Sequence, residues 1–182
     1  MVHPIGFEPT TFGTGNQRSI QLSYGCIPSN GSILGGMAKA ARAIIVENNK
    51  VLVMYRNKHG SEYFTLVGGR LNGDETPEQA LVREVMEETG LTVTNYRLVF
   101  TEEHPAPYND QYIFLCEIAP HDNVAIQDTS EEAFMNKISI NVHKPVWAEA
   151  KSFASLPFRT IELQKAIIRA LEKGFPSEPI KL

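Results

Sequence analysis

Cysteine is scarce in this 182-residue chain, which carries only Cys26 and Cys116. Two cysteines cannot build a disulfide framework, and that suits a reducing compartment. Long apolar runs are lacking too. None approaches the roughly 20 residues needed to span a bilayer, so no membrane partner is expected. Positive charge is not in excess: 17 Lys and Arg against 21 Asp and Glu give a formal net charge of -4. A chain of that balance offers no basic field for a nucleic-acid backbone, and no nucleic-acid polymer is expected as a partner. The first residues, MVHPIGFEPTTF, hold neither the charged n-region nor the apolar h-region of a signal peptide. The five histidines, His3, His59, His104, His121 and His143, form no spaced metal set and are expected to be solvated. What is present, 42% apolar and 21% charged residues, describes a cytoplasmic globular chain of one main domain.

The chain divides unevenly near Met37. Residues 1–36 carry one acid, Glu8, and one base, Arg18, yet seven of the 13 glycines. They show no sustained helical or alternating period, which predicts a disordered leader ahead of a domain over 37–182. GFEP can be encoded by GGGTTCGAACCC, and QRSIQLSYG by a stretch containing GCTCTATCCAGCTGAGCTACGG. Those strings resemble the complement of a tRNA gene's T and D arms, in the right order. The expectation is a mis-assigned start, with Met37 as the true first residue; the alternative is a genuine flexible extension. Intact mass of the protein from its native host separates the two.

From Met37 the pattern is orderly. Residues 43–46 and 51–55 are apolar runs joined by Glu47-Asn48-Asn49-Lys50, a hairpin signature. Their continuous apolarity predicts strands covered on both faces. Further strands are expected at 63–67, about 92–103, 110–118 and 145–149, with a closing helix over about 160–173 that stops at Gly174. Strands with few long helices imply an α/β fold, a mixed β-sheet between helices. Cys116, inside an apolar strand, is expected to be a small core residue.

The most informative segment runs from Gly69 to Leu91. Thr76 is placed as an N-cap, Pro77 fits the first helical position, Gln79 completes a capping box and Gly90 ends the helix, predicting 77–89. Glu84, Glu87 and Glu88 then stand at i, i+3 and i+4 and share a face. Like charges at that spacing cost roughly 0.2–0.5 kcal/mol per pair, and the helix dipole disfavours anions in the last turns by roughly 0.3–1 kcal/mol each. Leu81, Val82 and Val85 occupy the neighbouring arc and are expected to pack on the sheet. The three carboxylates are either a solvated acidic end or ligands for a hard divalent cation, Mg²⁺ or Mn²⁺.

The whole segment decides for the second reading. It resembles the Nudix box, G-x5-E-x7-R-E-U-x-E-E-x-G-U with U aliphatic, at every defined position from Gly69 through Glu75, Arg83, Glu84, Val85, Glu87, Glu88 and Gly90 to Leu91. A chance match is on the order of one in a billion per starting position. The resemblance covers about 38–173 and implies a Nudix-type α/β/α sandwich. It further implies a metal-dependent hydrolase cleaving the diphosphate of a nucleoside diphosphate linked to another moiety, X. By the same resemblance Glu84, Glu87 and Glu88 are metal ligands, joined by the carbonyl of Gly68. Arg83 orients the neighbouring carboxylate, and Glu75 braces the loop or touches the metal shell through water. The general base is open among Glu88, Glu131 and Glu132, with Glu117 weaker. Glu131 and Glu132 lie by the polar stretch Gln127-Asp128-Thr129-Ser130, either a loop capping the site or an ordinary exposed loop.

Arg56, Lys58 and Arg70 are candidates for phosphate oxygens, with solvated surface charge as the alternative. Where many relatives read Pro-Gly-Gly, this chain has Val67-Gly68-Gly69, which leaves the ligand set untouched. Substrate marks conflict. Pro107 stands where ADP-ribose hydrolases of the family carry a proline, and Tyr108 where dinucleoside polyphosphate hydrolases carry a tyrosine. Tyr63, Phe64 and Trp147 offer faces for a base or, more simply, for the core. The partner expected is a small nucleotide-like diphosphate, with a homodimer left open. The competing readings are a Nudix-fold module that senses nucleotides or docks a partner without hydrolysis, and another chemistry such as isoprenoid diphosphate isomerisation.

Overall fold

A computed structural model of the chain describes residues 39–105, 110–139 and 141–182. The leader 1–36, Pro107 and Tyr108 lie outside the described residues. Strands β1 (Ala40–Glu47) and β2 (Lys50–Lys58) form the expected hairpin. Asn48 and Asn49 both take positive φ, 48° and 61°, the two-residue turn whose twist matches that of its strands. Then follow β3 (Ser61–Thr65), α1 (Pro77–Thr89), β4 (Val93–Glu103), β5 (Asp110–Ile118), α2 (Glu131–Lys137), β6 (Asn141–Glu149), a 3₁₀ turn (Ala150–Ser155), α3 (Ile161–Lys173) and β7 (Ile180–Lys181). β6 begins four residues earlier than the expected 145–149, and α2 replaces the expected loop.

The strand order is β3-β2-β1-β5-β4-β7, with β6 paired to β2. β1 and β5 run parallel, from Ala40↔Gln111 to Ile45↔Cys116. β6 lines β2 over its full length, so β1 and β3 share the other edge of β2. β1 takes only Val51 and Lys50, and β3 takes 54–58. The hairpin therefore forks. One arm continues as β1-β5-β4-β7 and the other as β3-β2-β6. Beyond the fork, the abandoned edge of β1 is taken by the segment after β3. Ala43 N donates to Val67 O and Ala41 N to Gly69 O, both at 2.9 Å. That pairing sets Gly68 and Gly69 against Ala41 and Arg42.

Alternation along β1 explains the sandwich. Ala41, Ala43 and Ile45 pack with Leu52, Phe114 and Cys116 beneath Ala80, Leu81 and Val85 of α1. Ile44 faces the other way, with Val53, Val99 and Ile113, toward Leu163 and Ile167 of α3. Both faces of the sheet are covered, as the continuous apolar runs require, and Cys116 is a core residue whose thiol burial pushes up to about 12. Val82 is a correction: it is 42% exposed, because the inward stripe of α1 runs through Ala80, Leu81, Glu84, Val85 and Glu88 and leaves Val82 outside it. No described helix is long and apolar enough to cross a membrane.

His143 is a second correction. It lies buried on β6, and its Nδ1 has no hydrogen-bond partner among the described residues. Burial, aided by repulsion from Arg56, lowers its pKa to about 4. The folded chain thus holds it neutral while the unfolded chain takes a proton near the ordinary 6.5. Stability contributed by the neutral ring is present above pH 6.5 and lost as pH falls toward 4, by at most about 3 kcal/mol. A His143→Gln variant is expected to flatten that acid limb in urea titrations; an unchanged limb refutes the assignment.

Candidate active site

The box helix is fixed at both ends as the sequence predicts. Thr76 accepts from Gln79 N, Gln79 Oε1 accepts from Thr76 N at 2.9 Å, and Gly90 closes the helix in the left-handed region with φ 73°. The notable feature is what its inward stripe carries. Glu84 and Glu88 sit in register with Leu81 and Val85 and are buried at 8% and 2% exposure. Glu87 stands at the rim, its side chain 40% exposed.

Arg83 gathers these carboxylates. Its Nε and Nη2 grip both oxygens of Glu75 at 2.8 and 2.9 Å. Its Nη1 reaches Glu84 at 2.9 Å and Glu87 at 3.2 Å, and Nη2 also donates to the carbonyl of Arg70. A guanidinium with a planar fork of donors suits this task, where a lysine would not. Arg83 holds the Glu75 carboxyl down at about 2, and Glu75 Oε2 also accepts from Asn72 N of the box loop at 2.9 Å. Burial outweighs Arg83 at Glu84 and raises its pKa. At Glu88 burial pushes the carboxyl up to about 8, against the help of the Gly68 amide, which donates to Oε2 at 2.6 Å.

The glycine pair is shaped by this contact. Gly68 has φ 126°, and a Cβ there would lie 2.2 Å from the Ala41 carbonyl oxygen. A Cβ on Gly69 would lie 2.3–2.6 Å from the carboxylate atoms of Glu84. The Glu84 carboxylate thus rests against Gly69 and that of Glu88 against the Gly68 amide. Carboxylate and carbonyl oxygens are the ligand type that a hard divalent cation takes. Among the described residues no group of three or more His, Cys, Asp or Glu side chains is already gathered around one point. Glu87 is engaged by Arg83, and the Gly68 carbonyl accepts from Arg42.

Arg42 is a site residue that the sequence reasoning missed. Its signal was there: a lone charge inside the apolar run of 40–46. Arg42 is half-buried, its pKa lowered by desolvation against the pull of Glu88 and Glu84, and its Nε donates to Gln111 at 3.2 Å. Arg42 also lines a cleft of about 330 Å³ that opens on the α3 side, with Arg56, Lys58, Tyr63, Gln111 and Arg159 around it. Tyr63 is therefore a wall residue, with Arg159 over its ring at 5.1 Å. Phe64 packs on the core and meets Tyr55 edge-on, and Trp147 packs on the other cluster and stacks with His121.

The remaining candidates separate. Arg70 is exposed in the box loop and is not part of the cleft wall. Glu117 lies beyond Cys116, whose partner is Ile45, at the far end of the sheet from Arg42. Glu131 is exposed, whereas Glu132 is half-buried, and its charge acts on both Glu84 and Glu88. Both belong to the first turn of α2.

Comparison with known proteins bears on the family and the fold. The NUDIX domain family model matches residues 37–156. The 8-oxo-dGTP diphosphatase of Proteus vulgaris is 40% identical over 78 residues, 42% of this chain and 68% of that protein. The NAD-capped RNA hydrolase NudC of Pectobacterium carotovorum is 32% identical over 88 residues, 46% of this chain and 34% of that protein. The chain thus matches about a third of the length of that relative. Among solved structures, a NUDIX hydrolase from Nitrosomonas europaea superposes with TM-score 0.56 at 20% identity, covering 77% of this chain and 93% of that one, which shows the shared fold. With the family model spanning well over half of its length, the chain belongs to the NUDIX domain family.

Proposed function

We propose that this chain is a divalent-metal-dependent pyrophosphohydrolase that cuts the diphosphate of a small nucleotide-like molecule, a nucleoside diphosphate joined to X. The observation that carries this reading is the pair of buried carboxylates, Glu84 and Glu88, facing Gly68 and Gly69 on the inward stripe of a helix. Burying two acids where two leucines would pack breaks a local rule, and such breaks mark functional sites. Glu84, Glu87, Glu88 and the Gly68 carbonyl would hold Mg²⁺ or Mn²⁺. The ion supplies neutralisation of the diphosphate and acidifies water bound to it. Arg83 keeps Glu84 and Glu87 oriented while Glu75 fixes Arg83 in turn. Glu88 and Glu132 are the groups placed to take the proton of the attacking water, ahead of the exposed Glu131. Arg42, Arg56 and Lys58 offer donors for the phosphates of a substrate seated in the cleft, beside the flat ring of Tyr63.

The names of the relatives support a phosphoric anhydride as the bond cut, since 8-oxo-dGTP and an NAD cap both contain one. The cleft brings Arg42, Arg56, Lys58 and Arg159 together on a chain of formal net charge -4, which favours a small anionic molecule over a polymer. A panel of nucleoside triphosphates, ADP-ribose, nucleotide sugars and NAD, each with Mg²⁺ or Mn²⁺, tests the reading. Phosphate-containing products from at least one are expected. Binding of these compounds by calorimetry without any product would overturn it in favour of a sensing module.

A further inference from the structure

We propose that Asn136 is a positioning residue that fixes helix α2 to the edge of the sheet and so sets Glu132 over the carboxylates of α1; this rests on the hydrolase reading above. α2 has seven residues, far short of the length at which a helix holds its own shape in water. Little apolar burial pins it: Ala133 is buried, while Phe134, Lys137 and Ile138 are exposed. Its place is therefore decided by a few polar attachments. One lies upstream. Gln127 N donates to the Glu87 carbonyl at 2.9 Å and Ala125 N to the Thr89 carbonyl at 3.0 Å, so the approach to α2 satisfies carbonyls that the end of α1 would leave unpaired. Ser130 then caps α2, its hydroxyl accepting from Ala133 N at 3.1 Å.

Downstream the attachment is Asn136. Its Nδ2 donates to the His143 carbonyl at 2.8 Å, and its Oδ1 accepts from His143 N at 2.6 Å. β6 pairs with β2 along one edge only, so His143 presents both backbone groups outward on the free edge. One primary amide answers both, as the backbone of a further strand would. Aspartate cannot do this, because it has no donor for the carbonyl. Among the described residues these are the side-chain hydrogen bonds that join α2 to the sheet. Glu132 sits one turn before Asn136, at i and i+4, so the amide that grips the sheet and the carboxylate whose charge acts on Glu84 and Glu88 lie along one side of the helix.

The test is a double-mutant cycle on the full chain with its best substrate, joined to hydrogen exchange of the metal-free protein. Asn136→Ala is expected to lower kcat at least tenfold with KM moving less than twofold. In a Glu132→Gln background the same change should cost less than twofold, because the residue it positions is already gone. Amides of 131–138 should exchange at least tenfold faster in Asn136→Ala, with those of α1 and α3 unchanged. Asn136→Asp should resemble Asn136→Ala in both measurements. The proposal is overturned if kcat stays within twofold, if the loss is as large beside Glu132→Gln, or if the exchange of α2 does not change. Absence of turnover in the unsubstituted protein would instead defeat the hydrolase reading, while the exchange arm still decides whether Asn136 anchors α2.

Discussion

Glu88→Gln is expected to do two opposite things: lower kcat by roughly 10²–10⁴, the range for losing a positioned acid or base, and stabilise the metal-free protein at alkaline pH. The second effect follows from burial. The Glu88 carboxyl has a pKa of about 8 in the folded chain against the ordinary 4.5. A raised folded pKa means that the stability tied to its proton is fully present below about 4.5. It is then lost as pH climbs through 8, because the unfolded chain has already given the proton up. The loss over that interval is on the order of 4–5 kcal/mol. Glutamine has no proton to lose and can still accept from the Gly68 amide. Urea denaturation in EDTA at pH 5, 7 and 9 should show the unsubstituted protein weakening with pH while the variant holds level. Parallel curves would show that Glu88 is not the strained group. Saturating Mg²⁺ should narrow the gap, since a bound cation offsets the same charge.

Gly68→Ala should have the largest effect on folding. The residue sits at φ 126°, where a side chain is strained, and its Cβ would lie 2.2 Å from the backbone oxygen of Ala41. Backbone cannot yield as a flexible side chain can, so the segment 67–71 must leave the edge of β1. That exposes the ladder bonds of Ala41 and Ala43 and withdraws the Gly68 amide from Glu88. A loss of at least 3–5 kcal/mol is expected, as for other substitutions that break a special backbone position, measured as a shift of the denaturation midpoint. Gly69→Ala makes the informative contrast. The nearest atoms to its Cβ would be those of the Glu84 carboxylate, the far end of a side chain, so stability should fall far less while activity is lost. Equal stability losses at the two positions would contradict this account of the pair.

Much of this site was legible in the sequence because its signals are local. The capping box, Pro77 and Gly90 fix α1 by chemistry within a few residues of each end, and the spacing of Glu84, Glu87 and Glu88 follows from helical geometry alone. The hairpin at Asn48-Asn49 is equally local. What the sequence hid depends on distant partners. That Glu84 and Glu88 point inward while Glu87 stays at the rim is decided by which stripe of α1 meets the sheet, and Val82 was misplaced for the same reason. Arg42 could be noticed as a charge in an apolar strand. Its contact with Gly68 depends on the segment after β3 returning to β1, which no local pattern announces. His143 looked like any other lone histidine until the pairing of β6 with β2 buried it, and the seven residues of α2 are too few to show a period.

The fork of the hairpin has a consequence for how such a protein can diversify. Arg56, Lys58 and Tyr63 belong to the arm that leaves β1, whereas Gly68, Gly69 and the glutamates of α1 are seated on the arm that stays. Under the proposed function, the residues offered to the substrate and those offered to the metal are thus mounted on separate branches of one backbone, and Arg42 is the side chain at their junction. Mutations on the outgoing branch can retune what is admitted without unsettling the helix that does the chemistry.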